Sequence, residues 1–118
     1  MRSEQLYLQD ILDACDMIQS FLAGLDASTF INSELHKAAV LQKLSLIGEA
    51  AARLTQTYRQ ENPQIEWSEI IGFRNIAVHA YFSVEWEIVW ATAKDDVPVL
   101  RDQVMDIIQQ EDFGTEEQ

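Results

Sequence analysis

Apolar residues recur three and four positions apart along nearly the whole chain, and no stretch alternates with the period of two expected of a half-buried strand. The first stripe, Leu8, Ile11, Leu12, Cys15, Ile18, Leu22 and Leu25, predicts a helix over about residues 4–23. Gly24 and the turn-forming run Asp26-Ala27-Ser28-Thr29 close it. A second helix is expected to start after Asn32 or Ser33, both good caps, and to continue to about residue 59 or 60. Its stripe is Val40, Leu44, Ile47, Ala51, Leu54 and Tyr58. Asn62-Pro63 stops it, because the residue before a proline is pushed out of helical conformation.

A third, shorter helix is expected over about residues 67–79, with a break near Ala80-Tyr81-Phe82. Ser83 then stands as a cap, with Glu85 and Glu87 in the following turn. A fourth helix carries Val84, Ile88, Val89 and Ala91. Pro98 lies where the first turn of a fifth helix tolerates it, and Val97, Leu100, Val104 and Ile107 form that helix's apolar face. Helices of this length joined by short loops make an all-α, mostly antiparallel bundle of four to five helices. Repeats, low-complexity segments and interdomain linkers are not evident.

Composition sets limits on this picture. With 118 residues the chain is one domain, small enough to gain from oligomerisation. Residues 1–110 are expected to form the helical domain, and the acidic end, residues 111–118, to fray. No apolar run approaches the roughly 20 residues of a membrane span, and the polar, then amphipathic N-terminus lacks the layout of a secretory signal. Cys15 stands alone among apolar neighbours, which suits a reducing cytoplasm and a packing role.

The net charge of −12 is the strongest constraint on function. Affinity for nucleic acid normally rests on neutralising phosphates. Eight Lys and Arg against twenty Asp and Glu exclude a general nucleic-acid surface. Any such site must be local, small and assembled from more than one subunit.

Candidate chemistry concentrates in Arg74-Asn75-Ile76-Ala77-Val78-His79-Ala80-Tyr81, which sets four polar groups in an otherwise apolar run. Arg carries a permanent planar charge suited to phosphate, and His trades a proton near neutral pH. In a functional reading His79 transfers the proton, Arg74 stabilises phosphate charge and Asn75 orients one of them. In a structural reading Arg74 pairs with one of many carboxylates and His79 sits at a helix end favoured by the dipole. Spacing does not choose between them: five residues on a regular helix is about 140° of rotation, whereas Asn75 and His79 share a face.

Tyr81 is either a bundle aromatic or a hydroxyl near His79 open to covalent modification. Glu49 interrupts a small-residue patch, Gly48 with Ala50, Ala51 and Ala52, which permits close helix approach. A pair with Arg53 or Arg74 is its expected supporting role. Trp67, Trp86 and Trp90 read as core or interface aromatics. The last two share a face distinct from Val84 and Ile88, a hint of a second buried surface and hence a dimer. His36 reads as solvated, no His/Cys spacing marks a metal site, and no glycine-rich loop marks a phosphate cradle. No cofactor is expected.

Taken in order, Asp10-Ile11-Leu12, Ile47-Gly48-Glu49-Ala50-Ala51, Pro63, Ile65, Trp67, Ile70, Arg74-Asn75, His79-Ala80-Tyr81-Phe82 and Trp90 resemble the HepT-like proteins of the HEPN superfamily. The resemblance covers about residues 6–108, and its specificity lies in the ordered set. It implies a dimerising HEPN-like bundle in which two Arg-x4-His motifs face each other across a cleft. It further implies metal-independent RNA cleavage by Arg74 and His79, with Asn75 in support. Such proteins are usually toxins of toxin–antitoxin pairs, partnered by a minimal nucleotidyltransferase that transfers AMP to the tyrosine matching Tyr81. The acidity of the chain keeps an alternative open: a non-catalytic subunit that binds a nucleotide or presents substrate to such a transferase. A plain dimeric scaffold is a third reading.

Overall fold

The computed structural model describes residues 3–76 and 85–116, with side chains as far as residue 111. Among these residues there is no strand, as the spacing of apolar positions requires. Helix α1 is Glu4–Leu22, capped by Ser3, whose hydroxyl accepts from the Leu6 N–H. Gly24 ends the turn after it with a φ of 78°, a left-handed conformation that glycine enters without a Cβ penalty. Helix α3 is Glu34–Arg53, capped by Ser33 as expected.

Contacts at the helix ends fix the directions. The Thr55 N–H reaches the Glu4 carboxylate at 3.3 Å, so α3 finishes where α1 begins. Arg101 pairs with Asp16 at 2.9 Å near one end of α1, and Gln5 meets Glu111 at the other. The last helix therefore runs antiparallel to α1. Leu8, Ile11, Cys15, Ile18, Val40, Leu44, Ile47, Leu100 and Val104 fill the space between these three helices and are almost wholly buried. Burial pushes the Cys15 thiol up to about 12, which leaves it protonated and unreactive at neutral pH. No helix among the described residues is long and apolar enough to cross a membrane.

Four expectations need correction. First, Asp26 to Thr29 is not merely a turn. Asp26 and Thr29 form a reciprocal capping box that starts a short helix, α2, Ala27–Ile31. Second, α3 does not continue to residue 59 or 60. Buried Leu54 turns to extended geometry, and the Thr55 hydroxyl caps a separate helix, α4, Gln56–Glu61. Arg59 folds back to donate to the Ala51 and Ala52 carbonyls in the last turn of α3. The apolar spacing crosses this break unchanged, so periodicity alone reads through it.

Third, the segment after Pro63 is not one helix from the tryptophan onward. Helix α5 is Trp67–Ile71; Gly72 interrupts it, and helical geometry resumes over 73–76. The expected break near Ala80 and the Ser83 cap lie outside the described residues. Glu85 is the residue flanking the start of helix α6, Trp86–Ala91.

Fourth, the expected fourth and fifth helices are one. A π turn, Thr92–Asp96, joins α6 to α7, Val97–Glu116, and the Val97 N–H reaches back five residues to the Thr92 carbonyl. Pro98 lacks an N–H, and its ring crowds the carbonyl four residues earlier. The wider turn just before it carries the helix past that obstacle. Helix α7 also runs into the acidic stretch expected to fray, and the Tyr58 hydroxyl donates to Glu111 there.

The face formed by Trp86 and Trp90 is used within the chain. Both rings pack on buried Phe30 of α2, at centroid distances of 6.4 and 5.4 Å. These rings are thus not themselves a sign of a dimer. Phe30→Ala should cost about 3–5 kcal/mol, the usual range for emptying such a site, because α2 has five residues and no other fully buried side chain. Urea unfolding followed by tryptophan fluorescence measures this, and a loss below 1 kcal/mol would show that α2 is held by its capping box instead.

Candidate functional site

Gly48 lies in the middle of α3, where α5 and the turn after it cross. A Cβ placed on Gly48 would stand 2.6 Å from the Arg74 backbone nitrogen and 2.9 Å from the Ile71 carbonyl oxygen. No side chain fits there, so the small-residue patch serves the close helix approach that the sequence predicts. The neighbouring Phe73 and Ile70 are buried and anchor the crossing strand of chain. Arg74 is thereby fixed beside the residue that follows Gly48.

That residue is Glu49, and it pairs with both arginines that the sequence offers it. Its Oε1 lies 3.2 Å from Nη2 of Arg53, one helical turn on, and its Oε2 lies 3.4 Å from Nη1 of Arg74. The three side chains are between 43% and 61% exposed, so these pairs are screened by water. Exposed ion pairs contribute about 0–1 kcal/mol each, which makes this a weak structural clamp and an accessible charge cluster. Asn75 is exposed on the same turn as Arg74. His79 and Tyr81 fall among residues 77–84, outside the described residues.

Polar residues Gln42, Ser45, Glu49 and Arg53 repeat at helical spacing along α3, on a face distinct from Val40, Leu44, Ile47 and Ala51. Together with Tyr7 and Asp10 of α1 they line a groove of about 680 Å³. The signal for it is in the sequence as a second, polar stripe on the same helix. It is easily overlooked because small and apolar residues, Ala38, Leu46 and Ala50, share the wall. His36 is half-buried rather than solvated, with its Nδ1 2.6 Å from the Ser33 hydroxyl at the start of α3. Among the described residues no three His, Cys, Asp or Glu side chains are grouped to hold a metal ion.

Comparison with known proteins bears on this site. The family model for "Ribonuclease HepT-like" matches residues 11–107. "Putative RNase MJ1380" of Methanocaldococcus jannaschii is 33% identical over 103 residues, 87% of this chain and 94% of that protein. "Probable ribonuclease HepT" of Thermococcus cleftensis is 33% identical over 100 residues, 85% and 91% of the two chains. "Putative RNase MJ0125", also of M. jannaschii, reaches 36% over 107 residues, 91% and 92% of the two chains. No solved structure matches the chain. An all-α chain whose Gly48 crossing sets Arg74 at the surface, matched by that family model over most of its length, belongs to the ribonuclease HepT-like family.

Proposed function

We propose that the chain is a metal-independent endoribonuclease, the toxin of a toxin–antitoxin pair acting in the cytoplasm. The observation that carries this reading is Arg74. It is a half-exposed guanidinium fixed by a glycine crossing, five residues before His79, in a ribonuclease family. In this reading the 2′-hydroxyl of RNA attacks the adjacent phosphorus and the 5′-oxygen leaves, with a 2′,3′-cyclic phosphate as product. His79 takes the proton from the attacking hydroxyl and returns one to the departing oxygen. Arg74 offsets the charge that grows on the phosphoryl oxygens, and Asn75 orients one of the two. A homodimer would bring two such motifs to one cleft and double the positive charge available to a single phosphate.

Tyr81 is the off switch in the same reading. A minimal nucleotidyltransferase antitoxin transfers AMP from ATP to the Tyr81 hydroxyl and releases pyrophosphate. The added phosphate occupies Arg74 and covers His79. The net charge of −12 favours a second reading, a non-catalytic nucleotide-binding or substrate-presenting subunit of the transferase complex.

One preparation separates the two. Purified protein with RNA in excess chelator should yield cyclic phosphate ends, whereas the non-catalytic subunit leaves RNA intact. After co-expression with the neighbouring transferase, intact-mass spectrometry should find added AMP on the native chain and none on Tyr81→Phe. Unmodified native protein beside an active transferase and ATP would remove the switch.

A further inference from the structure

Of the eight Lys and Arg in the chain, four make contacts elsewhere among the described residues. Arg101 is held by Asp16, and Arg59 closes the end of α3. Lys37 and Lys94 lie over the rings of Trp86 and Trp90. Arg53 and Arg74 differ, because the two converge on one carboxylate and each takes a separate oxygen of it. The cluster carries one net positive charge in an otherwise acidic protein, and it stands at the groove that Glu49 and Arg53 line.

A phosphodiester has the same single negative charge as a carboxylate and likewise shares it over two terminal oxygens. Guanidinium forks suit either group. We propose that the Arg53–Glu49–Arg74 cluster is an exchange site, in which an RNA phosphodiester displaces the Glu49 carboxylate and is gripped by both arginines. Arg53 is then a second phosphate-binding residue beside Arg74. Glu49 holds the two guanidinium groups apart from other carboxylates until RNA arrives. The half-exposed pairs make the exchange feasible, since water already screens them and the displaced Glu49 side chain can turn to solvent. The inference rests on the ribonuclease reading for the identity of the ligand.

The test is binding of a fluorescein-labelled 2′-O-methyl oligoribonucleotide, whose blocked hydroxyl prevents cleavage, followed by anisotropy across a salt series. Arg53→Ala should weaken binding about tenfold and lower the slope of log affinity against log salt by about 0.7, the value for one phosphate of a single strand. Arg53→Lys, which keeps the charge and loses the fork, should fall between. Glu49→Gln should bind several-fold more tightly, because no charged competitor remains.

Arg53→Ala with parental affinity and slope would overturn the proposal, as would the absence of RNA binding by the parent. A Glu49→Gln protein that binds more weakly would make Glu49 a strut and also overturn the exchange. Arg53 is the most exposed of the three and its circular dichroism should be unchanged, so a folding defect is readily seen. Cleavage of unmodified RNA is scored separately. Binding responses as described without cleavage would retain the exchange site and remove the nuclease, while cleavage with unaltered Arg53→Ala binding would do the reverse.

Discussion

His79→Ala is expected to lower the rate of cyclic phosphate formation by about 10²–10⁴, the usual worth of positioned acid–base catalysis. Arg74→Ala should cost about 10²–10³, the scale for deleting one group that stabilises charge in a transition state. The double variant should fall little below His79→Ala alone, because groups that act on one transition state are not additive. Stability distinguishes this from unfolding. Arg74 reaches only Glu49 among the described ion pairs, and its side chain is 43% exposed, so Arg74→Ala should shift unfolding by no more than about 1 kcal/mol. Cleavage that survives in His79→Ala at the parental rate would belong to a contaminant, and the assignment of the imidazole would be lost.

Gly48→Ala is expected to destabilise the protein, although it adds a single methyl group to α3. Two effects oppose each other. Alanine is favoured over glycine inside a helix by about 1 kcal/mol. Against this, the new Cβ meets backbone atoms of Arg74 and Ile71 at 2.6 and 2.9 Å, contacts that cannot be relieved by rotating a side chain. Over-packing of this kind costs about 1–3 kcal/mol, and more when the backbone itself must move.

The clash therefore wins, and the loss should be about 1–2 kcal/mol by chemical denaturation. The same displacement carries Arg74 away from Glu49, so activity should drop further than stability does. A Gly48→Ala protein more stable than its parent would mean that the crossing is looser than described.

The long elements and the identity of the core are legible in the sequence because they depend on local rules. The stripe from Leu8 to Ile18 and the Ser33 cap need no knowledge of what they touch. Gly48 was also legible, since a glycine amid alanines in a helix has few purposes other than close approach. What failed were boundaries set by a competing cap. Thr55 restarts a helix within an unbroken apolar spacing, and Asp26 with Thr29 makes a helix of what reads as a turn. The Trp86–Trp90 face meets Phe30 of α2 and is partly buried by it, a contact that helical spacing alone does not disclose because α2 is distant in sequence. At the site, the sequence offers Glu49 one of two partners, and the fold gives it both, since one comes along the helix and the other across it.

The π turn before Pro98 fixes more than the passage of a proline. One residue inserted into a helix advances everything beyond it by about 100° around the axis. The portion before the turn can thus address α2 with its tryptophans while the portion after it addresses α1. Deleting a single residue there would not shorten a linker; it would twist two anchored ends of one rod out of phase, forcing one seam to open. The exposed positions Lys94, Asp95 and Asp96 should accordingly accept exchanges of residue far more readily than the turn accepts any change in its length.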